Sequence, residues 1–239
     1  MKRNFILWIC LMIGQQSIAQ QITNGGYGYF MTGPSWVFSQ KVNDYLSEPY
    51  IMGASYSPTN LGIQAGGEGF AMIHRVLIGG GGYGISQFTQ SADSASLVQG
   101  SGGGYFKVGY VFWSKQKTFM TTNLGIGGFG SSYEITNQKS KNGIYFNEEF
   151  PIRTGETKTY SYAGSLFDFT YGIKTLITGK NMNSHGGFML GFDAGCLLNV
   201  ATGSWSGDED NIIGPPSPGV TTIPYIRLTI GGGGFSTSQ

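Results

Sequence analysis

Between Gly102 and Phe112 every second residue joins one series, Gly102, Gly104, Phe106, Val108, Tyr110 and Phe112, while Lys107 points the other way. Strand side chains alternate between two faces, so a period of two with one wholly apolar face specifies a half-buried strand. The pattern recurs. Phe167, Phe169, Tyr171, Ile173 and Ile177 oppose Asp168 and Lys174; Phe188, Leu190, Phe192, Ala194, Cys196 and Leu198 oppose Asp193. Ile226, Leu228 and Ile230 oppose Arg227 and Thr229. About eight such runs follow one another, at 24–32, 60–73, 75–88, 98–113, 118–135, 158–177, 184–202 and 221–235. They are longer than the five or six residues usual for a soluble sandwich strand.

The connections alternate in length. Residues 73–74, 114–117 and 179–183 are tight, 33–59, 136–157 and 203–220 are long, and 89–97 is intermediate. No run past the N-terminal segment has the 18 or more apolar residues of a spanning helix. A closed barrel also satisfies every backbone group in lipid, and outer-membrane barrels put short turns in the periplasm and long loops outside. An even strand number then returns both termini to the short-turn side. The chain is expected to be all-β: an eight-stranded antiparallel transmembrane barrel with one short helix in its first long loop.

The start reads as an export signal. "MKRNFILWICLMIGQQSIAQ" carries Lys2 and Arg3, an apolar run from Phe5 to Ile13, and Ser17-Ile18-Ala19 as a small-x-small cleavage site. Residues 1–19 are assigned to the signal and 20–239 to the barrel, placing the protein in the outer membrane. Trp8 and Ile9 are too large to precede a lipidated Cys10. Cleavage leaves Cys196 alone, which excludes an intramolecular disulfide.

On these features the chain resembles the small Gram-negative outer-membrane barrels of the OmpA, OmpX and OmpW group. The resemblance spans the mature chain and lies in architecture, not in a signature motif. The last strand, "IPYIRLTIGGGGF", is similar to the aromatic-ended strand that such barrels present to the assembly machinery. It departs from that pattern because Ser236-Thr237-Ser238-Gln239 follow Phe235, and strict alternation from Ile226 sets Phe235 on the lumen side. The partners implied are outer-membrane lipid and lipopolysaccharide, the barrel-assembly machinery, and a protein met through the long loops.

Glycine is abundant, with 41 residues, in runs such as "IGGGGYG" at 78–84 and "IGGGGF" at 230–235. Phosphate loops need Gly-x-x-x-x-Gly-Lys-Ser/Thr or a Gly-x-Gly-x-x-Gly that opens a helix. Here Gly179-Lys180 runs into Asn181, and no helical pattern follows any glycine run. A narrow barrel supplies the other reason: inward glycines relieve crowding and give a neighbouring Tyr or Phe ring room to lie flat.

The apolar phase sends Glu68, Lys107, Asp168, Lys174, Asp193 and Arg227 inward, three acids and three bases. Buried ions must pair or keep water. Arg227 is expected to hold Asp193 on the preceding strand, bidentately. Such a set is a salt-bridged plug or, alternatively, a gated ion path or proton-responsive plug. A lipocalin-like soluble barrel would not line its interior this way.

In the first long loop, "PSWVFSQKVNDYLSEP" at 34–49 reads as a helix capped by Ser35 and ended by Pro49, with Phe38, Val42, Tyr45 and Leu46 on one side. It either covers the barrel mouth or rests on the membrane. Asp208, Glu209 and Asp210 cluster in the last long loop, where carboxylates are able to contact cations, and Glu148 and Glu149 add acidity in the loop before. Their spacing does not fit a twelve-residue calcium loop.

Enzymatic chemistry finds little to stand on. The only histidines, His74 and His185, fall at or beside short turns, without a paired nucleophile. No metal-ligand spacing or cofactor motif is present. A net charge of +1 argues against nucleic acid. The expected function is a non-enzymatic barrel with a salt-bridged lumen and surface loops for interaction or envelope structure. The alternative is a narrow transport barrel or an accessory part of an export complex.

Overall fold

The computed structural model describes residues 21–53, 55–92, 95–115, 117–177, 186–207 and 212–238. The signal segment, the turn expected at 179–183, His185 and the Asp208–Asp210 cluster lie outside the described residues. The strands are β1 (Gln21–Trp36), β2 (Leu61–Ile73), β3 (Val76–Gln87), β4 (Gln90–Ser91), β5 (Ala95–Lys115), β6 (Thr118–Asn137), β7 (Thr157–Leu176), β8 (Gly186–Ala201) and β9 (Val220–Ser238). One helix, α1 (Gln40–Leu46), follows β1. β4 is a two-residue extension paired with Leu97 and Ser96 of β5. The other eight strands pair antiparallel with their neighbours, and the β3–β5 ladder closes the sheet into a barrel.

The strands begin and end within a few residues of the runs of alternation. β1 is the main exception. Pro34, Ser35 and Trp36 continue the ladder against Ile63, Gly62 and Leu61. Ser35 is therefore a buried strand residue and not the expected helix cap. Ser39 takes the cap position without a side-chain bond, and the helix is one turn shorter at its start than the sequence suggests. Extending the ladder satisfies backbone groups in pairs, which a single side-chain cap cannot match.

The two faces differ as the alternation requires. Phe106, Val108, Tyr110 and Phe112 of β5, Leu124 and Ile126 of β6, and Phe167, Phe169, Tyr171 and Ile173 of β7 all stand exposed on the outside. Phe192 of β8 and Ile226, Leu228 and Ile230 of β9 continue the belt. A water-soluble monomer rarely exposes an apolar surface of that extent. In hydrocarbon the same surface is solvated.

Side chains fill the interior in layers. Toward the short-turn end, Tyr27, Phe70, Phe119 and Phe235 pack with ring centroids 5.2–5.9 Å apart. Phe235 thus faces the lumen, as strict alternation from Ile226 requires, and the β8–β9 register runs unbroken through the glycine run. The charged residues occupy the middle. Above them lie Tyr83, Phe129, Tyr162, Tyr133 and Tyr160.

The long loops close the other mouth. Val42 and Leu46 of α1 are fully buried and join Ile51, Met52, Ile144, Phe146 and Ile152 in the core. The helix therefore covers the barrel mouth. Phe146 stacks on Tyr160 at 4.3 Å and meets Trp205 at 5.1 Å, so loops 138–156 and 202–219 lock together over the top strand residues. The Tyr45 hydroxyl donates to the Phe146 carbonyl at 2.9 Å, and the Trp205 indole N–H donates to the Pro216 carbonyl at 2.9 Å.

Candidate functional site

The midsection of the lumen gathers Glu68, Lys107, Asp168, Lys174, Asp193 and Arg227, none more than 5% exposed. Period-two alternation sends them inward; all but Glu68, which lies between two glycines, have an exposed apolar residue beside them in the strand. Lys107 sits between two carboxylates, with Nζ 2.7 Å from Glu68 Oε1 and 2.5 Å from Asp168 Oδ2. Lys174 Nζ lies 2.6 Å from Asp193 Oδ1. Arg227 Nη2 is 3.4 Å from Glu68 Oε1, an ion pair without a formal hydrogen bond.

Tyrosine and threonine hydroxyls connect these pairs. Tyr29 donates to Glu68 at 2.6 Å and approaches Asp193 at 3.3 Å. Tyr105 donates to Glu68 at 2.6 Å. Tyr225 donates to Asp168 at 2.7 Å and shares a 2.7 Å contact with the Thr170 hydroxyl. The chain Lys174–Asp193–Tyr29–Glu68–Lys107–Asp168–Tyr225 thus crosses the lumen without interruption. Each base also lies over a ring: Lys107 Nζ is 4.6 Å from the Tyr105 centroid, Lys174 Nζ 4.8 Å from Tyr29, and Arg227 Cζ 3.9 Å from Tyr225.

Glycines make this network possible. Gly125 on β6 stands in register between Lys107 on β5 and Asp168 on β7. A Cβ there would come 3.0 Å from Lys107 Cγ and 3.2 Å from Asp168 Cβ, so only a bare backbone lets the ion pair reach over β6. Gly81 on β3 plays the same part between Glu68 on β2 and Tyr105 on β5, where a Cβ would lie 2.7 Å from Glu68 Cγ. Gly172, the register partner of Asp193, leaves the space in which Asp193 Oδ1 and Lys174 Nζ meet. The glycine runs therefore act as lumen spacers, and no ligand loop is built from them.

The expected Arg227–Asp193 pair is corrected by this geometry. The two residues are register partners on β9 and β8. Asp193 nevertheless pairs with Lys174, and Arg227 turns toward Glu68 across the lumen while stacking on Tyr225. The gap at Gly172 draws Asp193 toward β7, and the Tyr225 face holds the guanidinium away from it. Tyr29, Tyr105, Thr170 and Tyr225 complete the site and were not singled out from the sequence. Their inward phase was available there, but a tyrosine's phase alone does not tell a packing ring from a hydroxyl that closes a network.

Several polar atoms near this layer have no hydrogen-bond partner: all three Arg227 nitrogens, Tyr27 Oη, Thr229 Oγ1, Asn123 Oδ1 and both amide atoms of Gln64. Buried polar groups of this kind are ordinarily satisfied by water. Elsewhere, His74 forms part of the tight turn between β2 and β3, a full strand length away from the long loops. Among the described residues no cluster of three or more His, Cys, Asp or Glu is placed to hold a metal ion.

Comparison with known proteins finds no matching family model and no matching curated protein. Solved structures do align. The outer membrane protein OprG from Pseudomonas aeruginosa is 9% identical, with 91% of this chain and 98% of that one covered and a TM-score of 0.34. The outer membrane protease OmpT from Escherichia coli is 8% identical over 93% and 99% of the two chains, at 0.28. The TodX monoaromatic hydrocarbon channel, as a deltaS2 mutant, is 7% identical over 93% and 92%, at 0.21.

Proposed function

We propose that this chain is an exported outer-membrane barrel whose lumen is a structural plug and whose contacts with its surroundings are made by the long loops. It performs no catalysis in this reading. The observation that carries it is the filled interior: aromatic rings at the short-turn end, a paired ion network in the middle, and a loop-and-helix cap at the other mouth. Eight strands leave room for side chains but not for an open aqueous channel. The outward apolar belt supports insertion in lipid, with the short turns toward the periplasm. The loop crown, with Glu48, Glu148 and Glu149 exposed, then faces lipopolysaccharide or a surface partner.

Planar-bilayer recording of the purified protein tests this. The plug reading expects no stable step conductance. A reproducible single-channel step would replace it with the second reading, a narrow water-filled path for ions or protons. That reading draws its support from the Arg227 guanidinium, which makes no hydrogen bond, and the other polar atoms beside it that make none.

A further inference from the structure

Charge is divided along the barrel axis. Among the described acidic residues, Glu68, Asp168 and Asp193 face the lumen, and Asp44, Glu48, Glu134, Glu148, Glu149 and Glu156 all fall on the long-loop side: Glu134 near the end of β6 and the rest in the connections β1–β2 and β6–β7. Among the described residues the short-turn end carries no Asp or Glu. Its described charged residues are Arg75 between β2 and β3, and Lys115 and Lys117 at the β5–β6 turn.

The three described bases are built into positions next to the apolar belt. His74 and Arg75 form a two-residue turn with φ of 48° and 71°, the left-handed pair that suits a tight hairpin. The Arg75 N–H donates to the Thr23 carbonyl and its carbonyl accepts from Val111, both at 2.9 Å, so the turn is anchored to β1 and β5. Arg75 lies between Ile73 and Val76, which are 56% and 40% exposed to the outside. Lys115 is two residues beyond Trp113 and three beyond Phe112, themselves exposed on the outer face. At about 3.3 Å per residue, these charges stand within about 10 Å of the last lipid-facing side chains. Among the described residues none of the three forms an ion pair with an acid.

We infer that the short-turn rim is a binding surface for anionic phospholipid headgroups of the leaflet it faces, with Arg75, Lys115 and Lys117 as the phosphate-contacting bases. This rests on the proposed membrane insertion and orientation. Depth favours lipid over a soluble acidic partner: Trp113 and Tyr110 flank the bases, and aromatic side chains with adjoining Lys or Arg mark the headgroup level. Unpaired bases at that level gain about fivefold in association each on an anionic surface. At the opposite end Lys41, Lys139, Lys141, Arg153 and Lys158 are interspersed with at least as many acids, so among the described residues only the short-turn rim presents bases without acids to a leaflet.

The test uses the full mature chain folded into vesicles of phosphatidylcholine containing trace headgroup-spin-labelled lipid. Labelled phosphatidylglycerol is expected to be immobilised at the protein surface at least fivefold more than labelled phosphatidylcholine at about 0.01 M salt, where screening extends over about 30 Å. The preference should collapse at about 1 M salt, where it extends over about 3 Å. The variant R75Q/K115Q/K117Q should lose it, whereas K139Q/K141Q/R153Q, altered on the long loops, should keep it. Equal immobilisation of the two lipids by the unaltered protein, or a preference indifferent to salt, overturns the assignment. So does a preference that survives the rim variant. Immobilisation of neither lipid, with the protein recovered outside the vesicles, overturns the membrane reading itself.

Discussion

Glu68 is the most connected group of the lumen, and replacing it with glutamine tests the network with almost no change in volume. Its carboxylate accepts from Tyr29, Tyr105 and Lys107 and faces Arg227. At an effective dielectric constant of about 20, the 2.7 Å and 3.4 Å pairs are worth about 6 and about 5 kcal/mol of gross attraction. Losing the charge also removes the desolvation cost of the carboxylate, several kcal/mol, so the net loss expected for Glu68→Gln is about 3–5 kcal/mol. Lys107 keeps Asp168, so the damage falls on Arg227, which loses the one carboxylate it pairs with among the described residues. Arg227→Met should be milder alone, because Glu68 keeps Lys107 and the Tyr29 and Tyr105 hydroxyls, with Lys107 then shared by Glu68 and Asp168. Adding it to Glu68→Gln should restore part of the loss, a coupling of about 1–3 kcal/mol. Urea unfolding in lipid vesicles, followed by the mobility difference between folded and heated protein, measures all four corners of the cycle. If Glu68→Gln unfolds with the unaltered protein, or if Arg227→Met proves the costlier single change, the assigned pairing is wrong.

Other expectations follow from particular contacts. Gly231→Ala would place a Cβ 2.5 Å from Tyr29 Cα, against backbone that cannot yield, and should destabilise the folded protein by about 1–3 kcal/mol, whereas Gly84→Ala meets nothing within 4 Å and should fold normally. Both are read from the fraction of heat-modifiable protein on unheated gels. A tag inserted at Asn142 should be labelled on intact cells and one at Lys115 should not; the opposite pattern would reverse the proposed orientation. Asn147→Ala removes an amide oxygen that accepts from the Glu149 and Ile213 backbone N–H groups, each at 3.2 Å, so the loop crown should become more sensitive to protease while the barrel remains folded. Protection unchanged in that variant would show that the ring packing of Phe146 and Trp205 suffices to hold the loops.

The sequence by itself determined the strands, their phase and the content of the lumen. A period of two leaves only two settings for a strand, and apolar neighbours such as Phe167 and Phe169 fix which side Asp168 takes. Closure follows from the same pattern under the proposed membrane insertion, since a sheet in lipid cannot leave an open edge. Even Phe235 obeyed strict alternation through four consecutive glycines. Pairing within the lumen was decided only by the tertiary structure. Inward side chains of a narrow closed barrel meet across it, so partners come from strands that are not adjacent in the sheet, as Lys107 on β5 and Glu68 on β2 do. Adjacency favoured Asp193 with Arg227, and the empty space at Gly172 gave Asp193 to Lys174 instead. The start of α1 was likewise decided by the ladder that carried β1 through Ser35, because pairing with β2 satisfied the backbone where a local cap would have left it open.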